Sequence, residues 1–542
     1  MKKVLFFFAV LVFVKILISY SFPSPWVFGD AAVFTSKTRA IIENGNFNYD
    51  QYHFGWLNVP PLYSIILLPA YISHNPEINH RIILVINIIL TSSIIFPVYL
   101  LGRKFLSENE AALTALFSST YPSMFGYSFT VMSENLFLPL FLLSALLLHK
   151  TYTSNKISSE FLLGLVLGAL FLTRTAGIFP IIAWIIYTFF AVWQERDRIN
   201  FLKRKLIVIV GLIFSVSWWY LVKEPAPSGG FSGYQIGDYV QTALSIASNL
   251  PDFIKSLSLA FNQMSFLIIG TLFLPTALII GSLFFNDLSM RMVLKRLKPV
   301  LFFCLFTIVL FFGFSVTHQF IFSQKIAERY MVFGRYVEAV APLLITIASI
   351  IIFSINAKLV FWKKCGLVVV FVVMTGISIL HFPIAYYDIV NNIPILYFRG
   401  VDFVQNMPWI WIVIFAISIL FLLFPTHFFK RFIVMLLIFI SIYNYIPAYK
   451  LASDVSVAKK DEAAGAVWIY KNLPRDSIIG FDQDGLWEKN TIQDYWLYEF
   501  WLGRNYHLKI ANPDESITYF VSTKKLPFQQ IYSDKRMIIY KK

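Results

Sequence analysis

Long apolar runs separated by short polar breaks dominate the chain. Ile82–Leu101, Leu206–Val222 and Trp409–Leu423 are typical. A helix needs roughly 20 mostly apolar residues to cross a bilayer. Taken together, the runs predict about thirteen spans, near 4–21, 82–102, 110–128, 135–149, 160–173, 176–193, 206–222, 264–285, 299–316, 339–356, 366–381, 408–425 and 431–447. Pro60–Ser73 is too short to cross at about 1.5 Å per residue and reads as a helix lying at the membrane surface. Three polar stretches remain: the first loop 22–81, the loop 223–263 with its Pro/Ser/Gly run 225–233, and the tail from Lys450.

In the tail the period of the pattern changes. Helix-like Asp461–Asn472 precedes a strand at Ser477–Phe481 and a helix at Thr491–Leu502. Short strands follow near His507–Ile510, Ile517–Val521, Gln529–Tyr532 and Met537–Tyr540. The expected fold is therefore a polytopic α-helical membrane protein with interfacial helices in its first loop and a small C-terminal α/β domain. The expected domains are 1–449 and 450–542.

Composition agrees. Of 542 residues, 58% are hydrophobic and 14% charged, against about 25% charged in soluble domains. This excludes a disordered chain, a cytosolic enzyme and a disulfide-stapled secreted domain. The cysteines, Cys304 and Cys365, lie well apart in or beside apolar runs and offer no thiolate metal site. The net charge of +15 is not gathered in one patch, so nucleic acid is not expected as a partner. It falls in clusters between spans: Arg103/Lys104, Lys150/Lys156, Arg196–Lys205, Arg291–Lys298, Lys358–Lys364 and Lys430/Arg431. Placing these on the cytoplasmic side puts the N-terminus inside and the tail outside a cell membrane, with the first run an uncleaved span.

The outward loops then carry the candidate chemistry, because ionisable groups at a membrane edge are costly. Asp30 follows the first span and opens a helix through Ala31–Glu43, stopped by Asn44-Gly45. Asp is a preferred helix cap, and a carboxylate held at the surface also suits a general base. Glu134 begins the fourth span on the same side. It reads as a first-turn acid, as a group that orients an acceptor, or as one that shares a divalent ion with Asp30; the sequence demands no metal. Lys37 and Arg39 read as an ordinary polar helix face. Lys325, Arg329 and Arg335, with Tyr330 and Tyr336, share one short loop, and arginines just above hydrocarbon suit a phosphate. Arg81 and Arg174 lie on the same side. Tyr234 and Tyr239 of the loop 223–263 are placed to stack on a sugar and Asp238 to bond its hydroxyls, with that loop acting as a lid.

The set resembles the GT-C glycosyltransferases, in particular the branch holding protein O-mannosyltransferases and the aminoarabinose transferase of lipid A. The residues carrying the resemblance are Gly29-Asp30, Asn44-Gly45, Val59-Pro-Pro-Leu-Tyr63, Ser133-Glu-Asn-Leu-Phe137, Leu172-Thr-Arg-Thr-Ala-Gly177, Gly334-Arg-Tyr336 and Ala341-Pro342. Asp30 is followed by Ala31 where family members often carry Asp-Glu. The resemblance implies a sugar donor on polyprenyl or dolichyl phosphate and an extracytoplasmic acceptor that is a glycolipid, glycan or protein. Transfer would proceed with inversion, Asp30 serving as base and Glu134 as its partner. Lys37, Arg39, Tyr63, Arg81, Arg174, Arg329, Arg335 and Tyr336 become candidate substrate contacts. A transporter or flippase of lipid-linked saccharides stays open as a second class, although transporters more often show paired repeats with sites at mid-bilayer. A non-enzymatic envelope protein ranks below both.

Overall fold

In hydrocarbon every backbone N–H and C=O must find a partner within the chain, so apolar runs fold as helices. The computed structural model describes residues 1–25, 29–45, 59–154, 156–222, 236–284, 288–325, 334–355, 359–380, 408–482, 492–512, 517–534 and 536–542. Among the described residues, nine helices are long and apolar enough to cross a membrane, from Pro76–Gly102 to His427–Glu462. Shorter apolar helices at Ile157–Thr173, Leu274–Phe284 and Val413–Leu423 complete the bundle. The first helix, Lys2–Ser19, carries a buried lysine. Lys15 Nζ donates to Met124 O at 2.8 Å and Thr91 Oγ1 at 3.3 Å, which satisfies an ammonium the surroundings would otherwise reject.

Two predicted spans are broken. The run 110–128 forms the helix Glu108–Ser119, then a separate turn of helix at Pro122–Gly126. Pro122 lacks the N–H that would continue the first helix. The run 264–285 divides between Leu250–Gly270 and Leu274–Phe284, and Leu272 and Phe273 turn the chain with φ of 61° and 63°. The loop 223–263 also differs from expectation: from residue 236 onward it is helical, Ile236–Ser248 and then Leu250–Gly270. Ile246 and Leu259 pack with Val316 and Phe320 of the helix Leu288–Lys325, and that burial orders the segment. The Pro/Ser/Gly run 225–233, on which the lid expectation rested, lies outside the described residues.

The tail has the expected order of elements. Its strands are β1 Ile478–Asp482, β2 His507–Ala511, β3 Tyr519–Ser522, β4 Gln529–Ser533 and β5 Ile538–Lys541. They form one sheet in the order β2-β1-β3-β5-β4. β1 pairs in parallel with β2 and β3, while β5 pairs antiparallel with β3 and β4. The helix Ile492–Leu502 is the crossover between β1 and β2. The change of composition near residue 450 falls inside a continuous helix, Tyr445–Glu462. The sheet domain does not stand apart from the bundle. Tyr498, Trp501 and Leu502 share one apolar core with Ala31, Phe34, Tyr63 and Tyr71 of the first loop.

Candidate active site

The helix Gly29–Asn44 brings the first carboxylate into place. Asp30 sits inside its first turn, where an acid favours the helix dipole. Gly45 ends the helix with φ of 62°, a conformation that glycine adopts without cost. From another part of the chain, the turn Gly334–Val337 presents Arg335. Arg335 Nη1 donates to Asp30 Oδ2 at 2.8 Å, with 15% of the arginine side chain and 32% of the aspartate exposed. Two residues 305 positions apart thus form an ion pair that opens to solvent on the aspartate side.

A second pair lies beside the first. Arg174 follows the C-terminus of the helix Ile157–Thr173 and bonds Glu134, which opens the helix Glu134–Thr153. Both guanidiniums lie against the Tyr336 ring, Arg174 5.1 Å and Arg335 5.2 Å from its centroid. Behind Tyr336 stand Phe314 and His318, one helical turn apart, each edge-on to it at 5.3 Å. Tyr239 stacks on Phe314 at 5.1 Å, and its hydroxyl meets His318 Nδ1 at 2.8 Å. Two acids and two arginines leave the cluster neutral overall, while the guanidiniums offer donors suited to an anion.

Of the residues predicted for the site, Asp30, Glu134, Arg174, Arg335 and Tyr336 come together here. Four others are placed differently. Arg39 is buried and bonds Ser36 and Glu499 of the tail domain, so it is no polar helix face. Lys37 is also buried, its ammonium 2.5 Å from Val59 O and 4.4 Å from the centre of the Trp219 ring. Both are covered because other parts of the chain close over the helix. Tyr63 is wholly buried; its hydroxyl donates to Asn87 Oδ1 at 2.9 Å and receives Asn135 Nδ2 at 3.4 Å. Burial pushes its phenol well above the usual value, against the weaker pull of those bonds. Arg81 donates to Ser19 O at 2.6 Å and lies over Tyr20, tying its helix to the end of the first. Tyr234, Arg329 and the Asp238 side chain lie outside the described residues.

Tyr239, expected to stack on a sugar, stacks here on Phe314; sequence reading missed Phe314 and His318. The spacing of Phe314 and His318 by four on an otherwise apolar span was the available signal. It also missed Glu338, a buried carboxyl that accepts from Ser123 Oγ at 2.7 Å. The two carboxylates that a shared divalent ion would use, Asp30 and Glu134, each bond a guanidinium instead. Among the described residues, no group of three or more His, Cys, Asp or Glu converges as metal ligands.

Residues 58–220 match the family model of dolichyl-phosphate-mannose-protein mannosyltransferases. No curated protein matches the chain by sequence. Among solved structures, the chain is similar to ArnT from Cupriavidus metallidurans in the apo state, at 14% identity and a TM-score of 0.58, over 98% of this chain and 96% of that one. It is equally similar to the same organism's ArnT bound to undecaprenyl phosphate, at 15% identity and a TM-score of 0.60, over 98% and 97%. The chain thus shares the fold of ArnT over nearly the whole length of both chains, as the resemblance read from the sequence implied.

Proposed function

We propose that the chain transfers a sugar from a polyprenyl- or dolichyl-phosphate-linked donor to an acceptor hydroxyl on the extracytoplasmic face of the cell membrane, with inversion. The observation that carries this reading is the Asp30–Arg335 pair with Arg174 beside it, on a fold shared with a protein crystallised with undecaprenyl phosphate. The donor's tail stays in the bilayer, so its phosphate and sugar arrive where the spans end. Arg335 and Arg174 hold the phosphate. The acceptor oxygen attacks the anomeric carbon from the opposite side, and its proton passes to Asp30. The bond from the anomeric carbon to the phosphate oxygen breaks, and the electron pair leaves with polyprenyl phosphate. Attack from the face opposite the leaving group inverts the centre, as in inverting glycosidases with their carboxylate base. The leaving phosphate is a weak base, so fixed positive charge serves in place of a general acid.

Purified protein incubated with a panel of polyprenyl-phosphate sugars and acceptor extracts should release free polyprenyl phosphate from at least one donor. No release from any donor would return the chain to the flippase reading. The same proposal fixes the sidedness of the tail, because the domain that packs against the Asp30 helix must share its face of the membrane. A phosphatase reporter fused after Lys542 is expected to be active outside the cytoplasm. Strong cytoplasmic activity of a reporter at that position would place the site on the wrong side for this chemistry.

A further inference from the structure

The tail domain grips the helix that carries Asp30, and it does so through buried charge. Ser36 and Arg39 lie six and nine residues beyond Asp30 on the helix Gly29–Asn44. At about 100° per residue they project from the side of the helix away from Asp30. Both bond Glu499 on the helix Ile492–Leu502, and Arg39 Nη2 also lies 3.3 Å from Ser36 Oγ. Ser36, Arg39 and Glu499 are each at most 3% exposed. The guanidinium fills the space beside Gly503, where a Cβ would fall 1.3 Å from Nη1. Next to this contact, Asn505 Nδ2 donates to His74 O at 3.0 Å, a second tie between the tail and the first loop.

We infer that Arg39 and Glu499 are positioning residues, which set the tilt and rotation of the helix so that Asp30 meets Arg335 and the reacting centre; this rests on the function proposed above. A buried, charge-assisted hydrogen bond adds a directional constraint to the apolar packing of the helix. The lever is long. Nine residues span roughly 13 Å, so a tilt of about 10° at Arg39 displaces Asp30 by about 2 Å. A misplacement of about 1 Å at a reacting centre costs on the order of 100-fold in rate. The C-terminal domain thereby acts on the reaction through the placement of the Asp30 helix.

The test separates geometry from stability. A buried ion pair replaced by apolar residues of similar size often folds as well or better, so the full-length double variant Arg39→Met/Glu499→Leu should remain folded. Arg39→Lys, which keeps the charge and loses the planar fork, is the milder companion. Turnover is counted per polyprenyl-phosphate-binding molecule, so loss of folded protein does not register. The expected result is a fall in kcat of tenfold or more in the double variant and a smaller fall in Arg39→Lys, with the donor KM within threefold of the parent. Rescue by the reversed pair Arg39→Glu/Glu499→Arg, even in part, would strengthen the assignment. Undiminished kcat in the double variant overturns it while leaving the proposed function intact. A parent protein that transfers no sugar from any donor overturns both.

Discussion

Replacing Asp30 by Asn is expected to reduce sugar transfer by about 10²–10⁴-fold, the usual cost of removing a general base. That corresponds to about 3–5 kcal/mol of barrier. The structural cost should be far smaller. Asn keeps the shape and still accepts a hydrogen bond from Arg335. The lost dipole interaction in the first turn amounts to about 0.3–1 kcal/mol. The Asp30 side chain is one-third exposed, so the ion pair is worth little more than a surface pair, about 0–1 kcal/mol. Rate and stability therefore separate cleanly. The variant should insert, unfold within a few degrees of the parent and bind polyprenyl phosphate while transferring almost no sugar. Near-normal kcat with saturating donor would leave Asp30 a first-turn acid, and Glu134, already engaged by Arg174, would be the next base to test.

Much of this site was legible because its signals are local. An acid after the first span, a helix stopped by Asn44-Gly45 and arginines at the ends of apolar runs can be read from neighbours in sequence. The tail's helix and strand order was legible for the same reason: a change from period 3.6 to period 2 needs no tertiary information. What escaped depends on contacts between distant segments. Lys37 and Arg39 carry the pattern of a solvated face, and only the closing of the chain over that helix buries them. Tyr63, expected as a substrate contact, is wholly buried, with Asn87 and Asn135 as partners of its hydroxyl. The break after Gly270 is made by Leu272 and Phe273 in the left-handed region, residues that carry no turn signal. The pairing of Glu134 with Arg174 likewise needs the two helix ends to meet in space.

Arg335 should show the second large effect, because it touches both halves of the proposed reaction. It bonds Asp30 and, like Arg174, lies against the Tyr336 ring where the donor phosphate is expected. Removing one preorganised donor to developing negative charge typically costs about 10²–10³-fold. Arg335→Ala should lose at least that much in kcat/KM and bind polyprenyl phosphate weakly. Arg335→Lys keeps the charge but not the planar fork, so it should fall between Ala and the parent. Arg335 is a cleaner choice than Arg174. Removing Arg174 would strand Glu134, only 3% exposed, at a cost of about 3–5 kcal/mol in stability, whereas Asp30 can be rehydrated. The decisive measurement is the cycle of Asp30→Asn, Arg335→Lys and the double variant. If the two groups act in one step, the double variant should be scarcely slower than the worse single one, since residues that work as a unit are strongly non-additive. Multiplying effects would assign them to separate tasks, and Arg335→Ala binding polyprenyl phosphate with the parent's affinity would move phosphate recognition away from this pair.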